Sequence, residues 1–186
     1  VPPSGQHSQG VDSVWEMESH HSVVQKQVST RDYNYRQATE DMNTLVDATR
    51  GDATTYGEAY HWADNYLTAG TSHDRNPAPE SGAFYARIRH ERYLNGQTKT
   101  RAFTSCPTLS PGMLLKVTGG YEVADVFARG VVITAMHSHA RRDEDFGIRF
   151  DGIPDSPDFS FRPAPGSRPV MAGTLPARVT STTEND

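Results

Sequence analysis

Apolar positions along this chain come in short runs, and the spacing within each run names the element it can form. Residues 14–19 and 23–35 are rich in β-branched and aromatic side chains (Trp15, Met17, Val24, Val28, Thr30, Tyr33 and Tyr35) and predict two strands. The residues between them, His20-His21-Ser22, suggest a hairpin, and Arg31-Asp32-Tyr33-Asn34 closes the second strand because Asp and Asn bond their own backbone in turns. Over residues 36–58, Met42, Leu45, Val46 and Ala48 point to a short helical turn inside a loop. Tyr56, Tyr60, Trp62 and Tyr66 recur at even spacing and predict a short strand with its aromatic residues on one side. Residues 68–79, ending in Asn76-Pro77-Ala78-Pro79, read as a linker.

The period changes at residue 80. Residues 80–95 predict one amphipathic helix, with Ser81 as N-cap, Phe84, Ile88 and the aliphatic stem of Glu91 on the buried stripe, and Gly96 as terminator. Arg87, Arg89, His90 and Arg92 would occupy the rest of its surface. Strands are then expected over residues 98–105, 113–118, 130–139, 146–153 and 175–180, with an extended proline-rich loop over 154–169. Short strands bounded by Pro, Gly and Asp at this density predict an antiparallel barrel or sandwich. The fold class is thus α+β and β-rich, a small α/β segment with one main helix preceding an antiparallel β-barrel.

Composition limits the partners. Of 186 residues only 35% are hydrophobic, so the core is modest for the chain length and support from other subunits is expected. A net charge of −5 with both signs interspersed offers no basic face for a nucleic-acid backbone. Cys106 is the single cysteine, which excludes an internal disulfide framework and a thiolate cluster, and it reads as a small buried residue. No run approaches the ~20 apolar residues that span a bilayer, and no signal pattern opens the chain. Residues 1–12 and 181–186 are polar and aperiodic and read as linkers, cut from a longer protein.

Candidate chemistry is sparse. His137 and His139 stand two apart in a predicted strand and would share a face, where a third ligand from His20, His21 or Asp143 could complete a metal site. The competing assignment makes both polar residues of a solvated or subunit-facing surface. Asp143-Glu144-Asp145 beside Arg141-Arg142 lacks the alternating oxygen ligands of a calcium loop and reads as a charged hairpin tip. Ser110 precedes Pro111-Gly112 and is turn chemistry; Cys106 has no histidine partner that spacing identifies. Nucleophile-elbow, phosphate-loop and His-Glu-x-x-His patterns are absent, so no catalytic, cofactor-binding or metal residue is assigned and no cofactor is expected. Arg87, Arg89 and Arg92 read as a solvated helix face, with an intersubunit salt-bridge surface as the alternative.

The order of these pieces resembles the VgrG (Rhs-element Vgr) family of type VI secretion spike proteins. Its carriers are Arg31-Asp32-Tyr33-Asn34, Tyr56-Gly57, the helix over 84–93, Cys106 with Leu109-Ser110-Pro111-Gly112, Val131-Val132-Ile133-Thr134-Ala135-Met136-His137, and Phe161-Arg162-Pro163 leading to Ala177-Arg178-Val179. The resemblance implies a hub module of the phage-tail type in which two similar barrels per subunit form a trimeric ring matching a hexameric tube. Residues 13–96 would be its connecting α/β segment and 97–180 its second barrel, the first barrel lying upstream and an oligosaccharide-binding-type domain and puncturing β-helix downstream. It also implies a structural protein, cytoplasmic before firing and exported through the apparatus, with effector or tip proteins carried by other domains. The rivals are a contractile phage tail hub, a metal-dependent cupin-like barrel enzyme using His137 and His139, and a carbohydrate- or peptide-binding barrel using Tyr56, Tyr60 and Trp62.

Overall fold

Residues 12–49, 52–62, 64–119, 123–139, 141, 147–167, 169–174 and 176–178 are described by a computed structural model. Two sheets organise them. The larger is built from β1 (Val14–His21), β5 (Thr98–Thr104), β6 (Leu114–Leu115), β7 (Val131–His139) and β8 (Gly147–Pro154), ordered β1-β5-β8-β7-β6 and antiparallel throughout. The smaller contains β2 (Gln27–Arg31), β3 (Thr44–Val46) and β4 (Glu58–Trp62), with β2 central, antiparallel to β3 and parallel to β4. Helix α1 (Gly82–Asn95) covers one face of the smaller sheet, and the short α2 (Asp125–Arg129) precedes β7.

The larger sheet curls into a half-barrel. Its register slips between Trp15 and Glu18 in β1, where Glu16 takes a φ of 49°, and between Ile133 and Ala135 in β7. Extra residues of this kind bend a strand and sharpen its twist. The concave side is filled by Val14, Ala102, Val117, Phe127, Val131, Ile133 and Phe150, each from a different turn of the chain except the pair on β7. Phe127 shows why α2 exists: five residues of helix suffice to place one ring, fully buried, in that core. The Leu-Ser-Pro-Gly turn reverses the chain ahead of β6, with Gly112 at a φ of 91° and its N–H donating to the Ile133 carbonyl at 2.8 Å.

At Gly152 the sheet tolerates no side chain. A Cβ there would run into Val131 Cγ1 and lie 2.9 Å from the Val132 carbonyl oxygen, which a strand backbone cannot move away. Gly152→Ala is expected to cost about 1–3 kcal/mol, read as a lowered urea midpoint with an unchanged slope.

Three expectations from the sequence are corrected. Residues 14–21 and 27–31 do not form a hairpin: β1 pairs with β5, and both edges of β2 are taken by β3 and β4. Residues 44–46 are a strand, because Met42, Thr44, Val46 and Ala48 are buried in alternation while Leu45 is exposed, a period of two in place of the helical one. Of the stripe expected on α1, Glu91 is buried but Phe84 and Ile88 are only half-buried; against the small sheet the buried positions are Ala83, Ala86, Leu94 and His90, which was expected on the surface. Small residues win that stripe because the helix lies close upon β2 and β3, against Val28 and Val46. Ser81 does cap α1, its Oγ accepting from the Phe84 N–H at 3.2 Å, and Gly96 ends it. The tether over 1–12 falls outside the described residues except for Asp12, and of the strand expected over 175–180 the described half, Pro176 to Arg178, carries no strand.

Candidate assembly surface

Strand alternation gives the smaller sheet two different faces. Val28 and Thr30 of β2 turn under α1, so Ser29 and Arg31 turn away from it, as do their register partners Leu45, Tyr60 and Trp62. Among the described residues no helix covers this second face. Tyr60 and Trp62 are 55% and 59% exposed and Leu45 50%, and the Arg31 guanidinium lies 5.7 Å from the Tyr60 ring centre. Ser29 is nonetheless buried, donating to the Glu58 carboxylate that also accepts from Gln27 Nε2 at 3.2 Å. The result is a face with an ordered polar centre and exposed aromatic shoulders, a composition typical of protein contact surfaces. The expected aromatic strand therefore exists, but Tyr66 is not part of its face: it is buried, its hydroxyl donating to the Met42 carbonyl.

The convex face of the half-barrel is charged where the smaller sheet is aromatic. Glu18, Arg101 and Asp151 lie abreast on β1, β5 and β8, with Arg101 Nε 2.9 Å from Asp151 Oδ1. His137 Nε2 reaches the other oxygen of Asp151 at 3.7 Å. On either side the sheet ends in a strand, β1 or β6, with one hydrogen-bonding edge not paired to another strand of the described residues.

Among the described residues the histidine pair gathers no metal site. His137 and His139 are exposed on β7, while His20 and His21 are on β1, with β5 and β8 between them. His20 sits 3.6 Å from Glu18, and His21 Nδ1 lies 3.0 Å from Thr98 Oγ1. Among the described residues no three metal-ligating side chains gather, and residues 142–146, which include Asp143, Glu144 and Asp145, lie outside them. Cys106 is half-buried rather than sealed in the core, with its Sγ 3.3 Å from Thr108 Oγ1. Ser110 serves the turn, its carbonyl accepting from the Met113 N–H at 3.1 Å.

The arginines of α1 are not a solvated face. Arg89 forms a two-pronged ion pair with Asp64, Arg92 Nε donates to the Pro163 carbonyl at 3.0 Å, and Arg87 holds both Glu91 and the Asp158 carbonyl. Glu91, only 2% exposed, accepts from Arg87 through one oxygen and from Arg162 through the other. Asn95 completes the arrangement: its Oδ1 accepts from the Arg162 N–H at 2.6 Å and its Nδ2 donates to the Ser160 carbonyl at 3.1 Å. This cluster fastens residues 156–165 along α1. The Arg87–Glu91 spacing of four was visible in the sequence; Arg162, 71 positions later, had no local signal to mark it.

Comparison with known proteins adds the decisive observation. The family model of the phage tail baseplate hub (GPD) matches residues 1–144. The chain belongs to that family. Among solved structures it resembles the E. coli c3393 protein, described as a component of the type VI secretion system with structural similarity to the T4 bacteriophage tail proteins gp27 and gp5. The two are 38% identical, with a TM-score of 0.49, over 80% of this chain and 39% of that one, so the chain spans about two fifths of the relative's length. No curated protein matches. The phage tail hub match stops before β8, yet β8 lies between β5 and β7 and joins them, so this hub fold is completed by residues beyond the matched stretch.

Proposed function

We propose that the chain is a structural piece of a type VI secretion spike hub, three copies of which close into a ring that adapts the spike to a hexameric tube. Membership of the baseplate hub family supports the structural role, and the motif order shared with spike proteins favours the secretion apparatus. The observation that carries assembly is the exposed face of the smaller sheet, with Leu45, Tyr60 and Trp62, together with the half-barrel edges that no strand of the described residues pairs. A ring of small barrels buries such faces and edges between subunits, which agrees with the modest internal core. The work would be mechanical, passing load through packed sheets, with no transition state to stabilise. In this reading the chain resides in the cytoplasm until the apparatus fires and leaves through it, and effector or tip proteins attach through other domains.

The test is mass in solution for a version of the chain extended at both ends. A three-subunit mass is expected, falling to that of one subunit when Tyr60 and Trp62 are both replaced by Glu, since two charges would be desolvated at each contact. A stable monomer at high concentration defeats the proposal. The family match favours a contractile phage tail hub as second reading; export that persists after the secretion apparatus is disabled would select it.

A further inference from the structure

Strapping residues 156–165 onto α1 creates a second feature. Between the C-terminal end of α1, the outward side of β5 and β8, and residues 161–165 lies a groove of about 810 Å3, within the size range of ligand sites. Tyr93, Ile153, Phe161 and Pro163 give it apolar walls. Arg92, Lys99, Arg101 and Arg162 surround these against a single lining carboxylate, Asp151, so a chain of net charge −5 is locally cationic here. Arg92, Arg101 and Arg162 are already held by Pro163, Asp151 and Glu91. Lys99 is exposed, and its ammonium has no partner among the described residues.

We propose that this groove binds an extended segment of a partner protein in which carboxylate side chains alternate with apolar ones. Charge selects the class: carboxylates complement Lys99 and the guanidinium edges, while apolar side chains match the Tyr93, Ile153 and Phe161 walls, which a free phosphate would leave wet. The groove is preformed, because its far wall is fixed by the Asn95 and Glu91 bonds to Arg162 and needs no ordering when the segment enters.

Fluorescence anisotropy with labelled Glu-Leu-Glu-Leu-Glu and Lys-Leu-Lys-Leu-Lys peptides on the full chain tests the proposal. Saturable binding of the acidic peptide is expected, absent for the basic one and weakened about tenfold by Lys99→Glu. Lys26→Glu, an equal charge change at an exposed position away from the groove, should leave it unaltered. Equal loss in both variants would reduce the effect to overall charge, and no saturable binding, or binding insensitive to Lys99→Glu, would overturn the site. Because the readout compares two variants of one chain, it separates from the trimer test: a monomer with this pattern keeps the groove and loses only the ring.

Discussion

Glu91→Gln will destabilise the chain by about 3 kcal/mol, near the lower bound for breaking a buried ion pair. The carboxylate is 2% exposed and divides its oxygens between two guanidinium groups, Arg87 along the helix and Arg162 from the chain that follows β8. Glutamine keeps the shape but removes the charge, and its NH2 must turn a donor toward one of the two N–H groups that the carboxylate accepted. Arg162 is 38% exposed and regains water when released, whereas Arg87, at 19%, regains less, which keeps the loss at the lower bound rather than above it. For a chain of this length 3 kcal/mol corresponds to a fall in Tm of roughly 6–12 °C. Hydrogen exchange supplies the local readout: the Arg162 amide, held by Asn95, should exchange faster in Glu91→Gln than amides of β7 do. A change below about 0.5 kcal/mol, the size of an ordinary surface substitution, would show that the cluster holds nothing.

That same cluster marks where sequence reasoning reached its limit. Features written in neighbouring residues were legible: the Ser81 cap, the Gly96 stop, the Asp32 and Asn34 turn, the Gly112 turn and the strand character of β5 and β7. Features that depend on what arrives from elsewhere were not. The run from Met42 to Ala48 fits either period until its burial is known, and helix was the wrong choice because β2 was waiting to pair with it. The α1 stripe looked like Phe84 and Ile88 because bulk suggests core, but a sheet packed tightly against a helix selects Ala83 and Ala86. Likewise the α1 arginines looked solvated because Asp64, Asp158, Arg162 and Pro163 are distant in sequence. The open aromatic face was the easier part of the candidate site, since the even spacing of Tyr60 and Trp62 already placed both on one side of a strand.

Both sheets meet through α1, which explains why polar residues crowd a helix whose apolar face is so slight. Toward β2 and β3 it offers small side chains and one imidazole; toward residues 156–165 it offers Arg87, Glu91, Arg92 and Asn95. Hydrophobic burial alone would leave the helix free to slide upon its sheet, whereas directional bonds to the segment after β8 fix its position relative to the half-barrel. For the proposed load-transmitting role, that second property matters more than a larger core.

His90→Ala is expected to lower stability by about 2–4 kcal/mol near pH 7.5, and the difference from the unaltered chain should narrow as the pH falls. The imidazole is fully buried on α1 and bridges two loops: Nδ1 accepts from the Ala48 N–H at 3.0 Å, and Nε2, 3.0 Å from the Gln25 carbonyl, must carry the proton and donate. Only the neutral ring with that tautomer satisfies both partners; a second proton on Nδ1 would face the Ala48 N–H. Burial is the main cause of its lowered pKa, joined by the charge of Arg87 and opposed by the Gln25 carbonyl, Asp47 and Glu91. Since the unfolded chain titrates near about 6.5 and the folded one lower, the unfolded state binds more protons between the two values. The contribution is complete above about pH 6.5 and is lost as the pH falls toward the folded value. His61 shifts the same way, by burial and then by Arg89, so an acid loss of stability alone would not identify His90. The discriminating measurement is the difference in Tm between wild type and His90→Ala at pH 7.5 and at pH 5.5. A difference that stays constant, or widens in acid, would mean that the ring is not held neutral between Gln25 and Ala48.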